Sequence, residues 1–204
     1  PADAVALDGE TVAYPPETQN FHYEAELVVA IGKAGSKISE DDALSHVWGY
    51  AIGNDLTRRD LQLAARDKGR PWDFGKAFDR SAVIGPVHPV SKVGHPDSGA
   101  IGLSVNGEVK QDADLNELIW SVPEIISILS HSIGLQPGDL IMTGTPAGAD
   151  RGDHAPREQE QDGTAGRGQA EGAARGGVGQ LDLVDPCRHR DRRGGMVRGH
   201  ELGR

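Results

Sequence analysis

The sequence predicts a strand-rich α+β fold, on three observations. Tyr23 to Ile31 (YEAELVVAI) alternates in period two, and Val47 to Asn54 is an apolar run of strand length. Ile101 to Val105 runs into Asn106-Gly107, the dipeptide best suited to a two-residue hairpin because both positions tolerate positive φ. Helical periodicity is confined to fewer segments, so strands outnumber helices.

After the Tyr23 to Ile31 strand, a glycine turn leads to a short helix starting near Ser39, with Asp42 where a capping-box acid would stand. Val47 to Asn54 is a second, buried strand. Asp60 to Asp67 reads as one or two helical turns, and the Ile101 to Val105 hairpin follows. The next element is a helix over Val122 to Ile133. Ser121 and Glu124 form its S-x-x-E capping box, Pro123 falls in the first turn where its missing N–H costs nothing, and Gly134 is placed to end it. Its stripe of Val122, Ile125, Ile126, Leu129 and Ile133 is expected to face a core. Pro137-Gly138-Asp139 then turns the chain into a strand, Leu140 to Thr143, which ends in the Gly144-Thr145-Pro146 turn.

These elements all belong to residues 1–148, read as one core domain. From Arg151 onward lysine, isoleucine, phenylalanine, tyrosine and tryptophan disappear, and arginine, glycine, glutamine and alanine dominate. No strand or helix period persists there for more than a few residues, and such a composition buries too little apolar surface to offset its ordering entropy. Residues 149–204 are therefore expected to be a disordered tail or the out-of-frame product of a GC-rich coding sequence, and no function is assigned to them.

The formal charge of −10 comes with no long basic run, which argues against a nucleic-acid partner. No stretch of about 18 apolar residues and no charged-then-apolar leader is present, so neither a membrane span nor a secretory signal is expected. The chain reads as cytoplasmic. Cys187 is the single cysteine, too few for an intrachain disulfide or a cysteine-based zinc site, so the chemistry rests on oxygen and nitrogen groups. Pro1 rather than methionine opens the chain, and the natural start is expected upstream.

Glu24 and Glu26, two apart on a strand, point to one face while Ala25, Leu27, Val29 and Ile31 take the other. Alone, such a pair is more often a solvated strand face; if buried, it needs a proton or a cation between its charges. Asp55 ends the second strand and supplies a third carboxylate, or else caps the next helix. Three carboxylates favour a hard cation, magnesium or manganese first and calcium next. Arg59 and Gln62, three apart, share a helix face, and an arginine fork can hold a substrate carboxylate. The alternative pairs Arg59 with Asp60 or Asp67 at the surface, the reading preferred for Arg58. Lys76 lies in Trp72-Asp73-Phe74-Gly75-Lys76-Ala77-Phe78, an aromatic setting that could desolvate its ammonium. Thr145 offers a hydroxyl on a tight turn, or simply caps that turn. His22, His46, His88, His95 and His131 show no ligand spacing and are read as structural or surface groups.

Together YPPETQNFHYEAELVVAIG, GYAIGNDLTRRDLQ, GRPWDFGKAFD, VNGEVKQ and LQPGDLIMTGTPAG resemble the fumarylacetoacetate hydrolase family, most closely its acylpyruvase and fumarylpyruvate hydrolase branch, over nearly all of residues 1–148. The resemblance implies a mixed β-sandwich roll, usually a homodimer. It implies Glu24, Glu26 and Asp55 as ligands of Mg2+, or of Mn2+ or Ca2+. Arg59, Gln62, Lys76 and Thr145 would surround the acidic and keto oxygens of a small 2,4-diketo acid, with Lys76 and Arg59 adding positive charge where negative charge develops. The implied reaction is metal-dependent hydrolysis of a C–C bond in an acylpyruvate such as fumarylpyruvate, giving pyruvate and fumarate. Oxaloacetate-type decarboxylation and dienedioate isomerisation use the same enolate stabilisation and remain alternatives, as does a non-catalytic metal-binding remnant. Family members carry a glycine-arginine-asparagine-tyrosine segment and a water-activating histidine upstream of this chain's first residue, and close the barrel with a strand hairpin after the Gly-Thr-Pro turn. Neither segment is recognisable here, so weak magnesium binding and poor turnover are expected of the chain as written.

Overall fold

A computed structural model describes residues 1–148 and the backbone of residues 181–184. The main sheet runs β1 (Val5–Leu7), β6 (Ala82–Ile84), β4 (Val47–Asp55), β3 (Ala25–Ile31) and β10 (Leu140–Met142), with β7 (His88–Pro89) also on β4. Among the described residues only β1 and β6 pair in parallel; β4–β6, β3–β4, β4–β7 and β10–β3 are antiparallel. A second sheet holds the hairpin β8 (Ala100–Val105) and β9 (Glu108–Asp114), and a two-stranded ribbon joins β2 (Phe21–His22) to β5 (Thr57–Arg58). Among the described residues, no helix is long and apolar enough to cross a membrane.

The predicted hairpin forms as read. Asn106 at φ 53° and Gly107 at φ 82° take the two left-handed positions that a type I′ turn requires. The long helix forms as α5 (Val122–Ser132), with both halves of the Ser121–Glu124 capping box present. Val122 and Ile126 are buried against Leu27, Val29, Ile31, Tyr50, Ile52 and Ile141, and Ile125 and Leu129 pack on the same cluster. Fully burying one such aliphatic side chain stabilises by about 1.5–3 kcal/mol.

The structure corrects several local expectations. Ile133 is 56 % exposed rather than part of the core stripe, because α5 ends one residue earlier and Ile133 turns extended at φ −133°. Gly134 is not among the positive-φ residues, so no left-handed glycine ends the helix. The short helix α1 (Glu40–Ala43) has no side-chain cap; Asp42 instead accepts from Ser45 Oγ at 2.7 Å and meets His46 Nε2 at 3.3 Å. Arg58 is buried rather than paired at the surface, donating to the Pro16 carbonyl and lying 4.5 Å from the Phe78 ring centroid. Residues Leu181–Val184 of the compositional tail form β11, which pairs antiparallel with β8. The remainder of the tail lies outside the described residues.

Strand β3 is the axis of the molecule. Leu27, Val29 and Ile31 enter the α5 cluster, while Val28 packs with Ala51 and Ile84 on the opposite face. Both faces are therefore covered, which removes the solvated-face reading of Glu24 and Glu26.

Candidate active site

Glu24 immediately precedes β3, and Glu26 is its second residue. They are only 5 % and 4 % exposed. The backbone around Glu24 is held twice: its N–H donates to Asn54 Oδ1 at 2.9 Å and its carbonyl accepts from Asp55 N at 2.8 Å. Asp55 is thereby delivered beside Glu24 at the end of β4. One carboxylate oxygen from each of Glu24, Glu26 and Asp55 lies within 4.8 Å of the others.

Two cations converge on this cluster from neighbouring helices. Helix α2 (Arg59–Arg66) begins at Arg59, whose guanidinium donates to Glu24 Oε1 and, at 2.5 Å, to Gln62 Oε1. The shared helix face read for these two residues is thus real, and Arg59 pairs with Glu24 rather than with Asp60 or Asp67. Helix α3 (Asp73–Lys76) ends at Lys76, whose ammonium bridges Glu24 Oε2 and Asp55 Oδ2. Of the aromatic residues in its segment, Trp72 and Phe74 are 47 % and 83 % exposed while Phe78 is buried, and the Lys76 side chain itself is partly buried. Gly75 instead lets α3 sit against α2, since a Cβ there would stand 3.0 Å from the Gln62 backbone nitrogen.

Three carboxylates therefore face two basic groups, and burial shifts the titration of two of them, Glu26 and Asp55. Burial pushes Glu26 up from 4.5 to about 7, Asp55 adds to the rise, and the Gly144 amide, donating to Glu26 Oε2 at 2.8 Å, opposes it. Asp55 is also raised, again by burial first, with Lys76 opposing. A cluster of hard oxygen donors with one acid uncompensated fits a small divalent cation.

Thr145 reaches the cluster through the backbone. Its Oγ1 donates to the Ala25 carbonyl at 2.9 Å, between the two glutamates, and accepts from Gln111 Nε2 at 2.9 Å. A cavity of about 350 Å³ is lined by Leu27, Ile101, Leu115, Trp120, Gly144 and Thr145, among others, but not by Glu24, Glu26 or Asp55. Gly144 joins the two, because its amide holds Glu26.

Sequence reasoning missed four contributors. His22, read as structural, has Nδ1 3.5 Å from Arg59 Nε and Nε2 2.8 Å from Asn20 Oδ1, so it orients the guanidinium. Asn54, Gln111 and Gly144 act on residues 30, 86 and 118 positions away. Asn54 could have been suspected beside Asp55 and Gly144 from its place in the Gly144-Thr145-Pro146 turn; Gln111 carries no local signal.

The family model described as "Fumarylacetoacetate (FAA) hydrolase C-terminal" matches residues 1–178. A fumarylpyruvate hydrolase from Ralstonia sp is 57 % identical over 140 residues, which are 69 % of this chain and 72 % of that one. A mitochondrial oxaloacetate tautomerase of Mus musculus is 41 % identical over 148 residues, 72 % of this chain and 67 % of the relative. Among solved structures, the fumarylpyruvate hydrolase from Pseudomonas aeruginosa, in complex with Mn2+ and pyruvate, superposes with a TM-score of 0.72 at 57 % identity, covering 74 % of this chain and 66 % of that one. The chain thus spans about two thirds of the length of these proteins.

Proposed function

The chain belongs to the fumarylacetoacetate hydrolase family, and on that premise we propose that it hydrolyses a C–C bond of a 2,4-diketo acid, an acylpyruvate such as fumarylpyruvate, in a divalent-metal-dependent reaction. The observation that carries this reading is the convergence of Glu24, Glu26 and Asp55 with Arg59 and Lys76 already bonded to two of them. Glu24, Glu26 and Asp55 would hold the ion, Mg2+ or Mn2+, and the Mn2+ in the Pseudomonas aeruginosa relative supports that assignment. When bound, the ion supplies Lewis-acid stabilisation of an enolate.

The chain's own residues supply the rest. Lys76 and Arg59 now neutralise Glu24 and Asp55. Were those carboxylates to hold a cation, the ammonium and guanidinium would be free to meet the acidic and keto oxygens of the substrate, where negative charge develops. Gln62 holds Arg59 NH1 and so fixes the plane of the fork. Gly144 keeps Glu26 oriented from the opposite side. Burial of both glutamates excludes water from one flank of the cluster and strengthens each of these interactions.

The tautomerase relative favours a second reading, in which the same charges stabilise the enolate of oxaloacetate without hydrolysis; decarboxylation of oxaloacetate and dienedioate isomerisation draw on the same stabilisation. A homodimer in the cytoplasm is the assembly and location proposed. Proton NMR of the full chain with Mn2+ removed after incubation separates the readings. Pyruvate plus fumarate from fumarylpyruvate supports hydrolysis. Keto–enol interconversion of oxaloacetate alone transfers the assignment to the tautomerase class, and no conversion of either leaves a non-catalytic metal-binding protein.

A further inference from the structure

Gln111 stands on β9, outside the main sheet, yet is 2 % exposed and spends every polar atom of its amide on the site. Its Oε1 accepts from Ala25 N at 2.9 Å, and its Nε2 donates to Thr145 Oγ1 at 2.9 Å and to the Pro146 carbonyl at 3.0 Å. The orientation of this amide follows from its partners, because a backbone N–H can only donate and a backbone carbonyl can only accept. With Oε1 on Ala25 N and Nε2 on Pro146 O, the group that meets Thr145 is a donor. The Thr145 hydroxyl must accept from it, and its single proton goes to the Ala25 carbonyl at 2.9 Å. Thr145 is then left with one lone pair and no proton for anything bound beside it. Turning the proton away would forfeit a bond to the carbonyl of Ala25, a residue that is 0 % exposed.

We propose that Gln111 is a positioning residue that fixes the polarity of the Thr145 hydroxyl, so that Thr145 meets its ligand as a hydrogen-bond acceptor and selects a hydroxyl-bearing form, the enol or hydrate, over a keto or carboxylate oxygen. This rests on the reading of Thr145 as part of the substrate site. It also refines that reading, since an acceptor set against a keto or carboxylate oxygen would repel it. The same amide bonds tie the strand carrying Glu24 and Glu26 to the Thr145 turn, so one side chain sets both the charge-bearing wall and the selective wall of the site.

The test uses the full Mn2+-loaded chain and a matched pair of probes, lactate and pyruvate, which carry equal charge and differ in a hydroxyl against a keto group. The dissociation constants are measured for the wild type, Thr145→Val, Thr145→Ser and Gln111→Met. The expected result is a fall of about tenfold in the preference for lactate over pyruvate in Thr145→Val, the loss of roughly one hydrogen bond. Thr145→Ser retains the preference, and Gln111→Met weakens it while leaving the hydroxyl in place, which a purely structural role would not do. In the ligand-free chain, the Gln111 side-chain amide protons exchange slowly and shift on Thr145→Val. Both acids binding with an unchanged ratio in Thr145→Val overturns this inference alone. Neither acid binding overturns the site reading together with it, and fast-exchanging Gln111 amide protons overturn the clamp whatever the ligand results.

Discussion

The amide of Gly144 donates to Glu26 Oε2 at 2.8 Å across 118 positions of sequence. This bond closes the carboxylate cluster, because it brings the end of β10 onto the second residue of β3 and is the main favourable contact acting on an otherwise buried charge.

That charge gives the metal-free protein a definite pH dependence. Burial raises Glu26 from 4.5 to about 7, so between those values the folded chain binds more protons than the unfolded chain. Stability contributed by protonated Glu26 is fully present below about pH 4.5 and is lost as pH rises through about 7. In chelator, the thermal midpoint is expected to fall across this window for the wild type and to stay flatter for Glu26→Gln. Parallel profiles for the two proteins would contradict the assignment.

Lys76 is paired with Glu24 and Asp55, two of the carboxylates proposed to hold the cation. Lys76→Met is therefore expected to leave Mn2+ affinity unchanged or higher while lowering kcat by about 10²–10³-fold, the scale of losing one charge-stabilising donor. Calorimetry with Mn2+ and steady-state kinetics on an acylpyruvate read the two effects separately. A joint loss of metal binding and turnover would place Lys76 in support of the metal ligands instead.

Gly75 sets how closely α3 approaches α2. An added Cβ would lie 3.0 Å from Gln62 Cβ and N and 3.1 Å from its Cα, so Gly75→Ala must push the two helices apart. The expected cost is about 1–3 kcal/mol in denaturant unfolding, with kcat/KM falling because Lys76 moves with α3. Gly69→Ala is the comparison: φ is +60° there and nothing lies within 4 Å, so it is expected to lower stability and spare turnover.

What was legible in the sequence had a local cause. The Asn106-Gly107 turn, the Ser121–Glu124 box and the alternation that puts Glu24 and Glu26 on one face all follow from contacts a few residues long. Arg59 and Gln62 were found for the same reason, by helix spacing. The parallel pairing of β1 with β6 was not, since Val5–Leu7 is three residues long and its partner lies 77 positions on. Gln111 escaped because a glutamine in a strand looks like a solvated position until Leu103, its register partner, is seen to be buried. Arg58 escaped because the Phe78 ring that covers it comes from a separate loop. His22 looked structural, and its contact with Arg59 depends on the β2–β5 ribbon, two residues on each side.

Glu24, Glu26 and Asp55 are proposed to hold one divalent cation together. The most direct measurement is an electron paramagnetic resonance titration of Mn2+ into the full chain at pH 8, comparing wild type with Asp55→Asn. One ion per chain is expected in the wild type, with affinity in Asp55→Asn falling by more than the roughly 10–100-fold that loss of an outer partner typically costs. Equal binding by the two proteins, or none by the wild type, would contradict it.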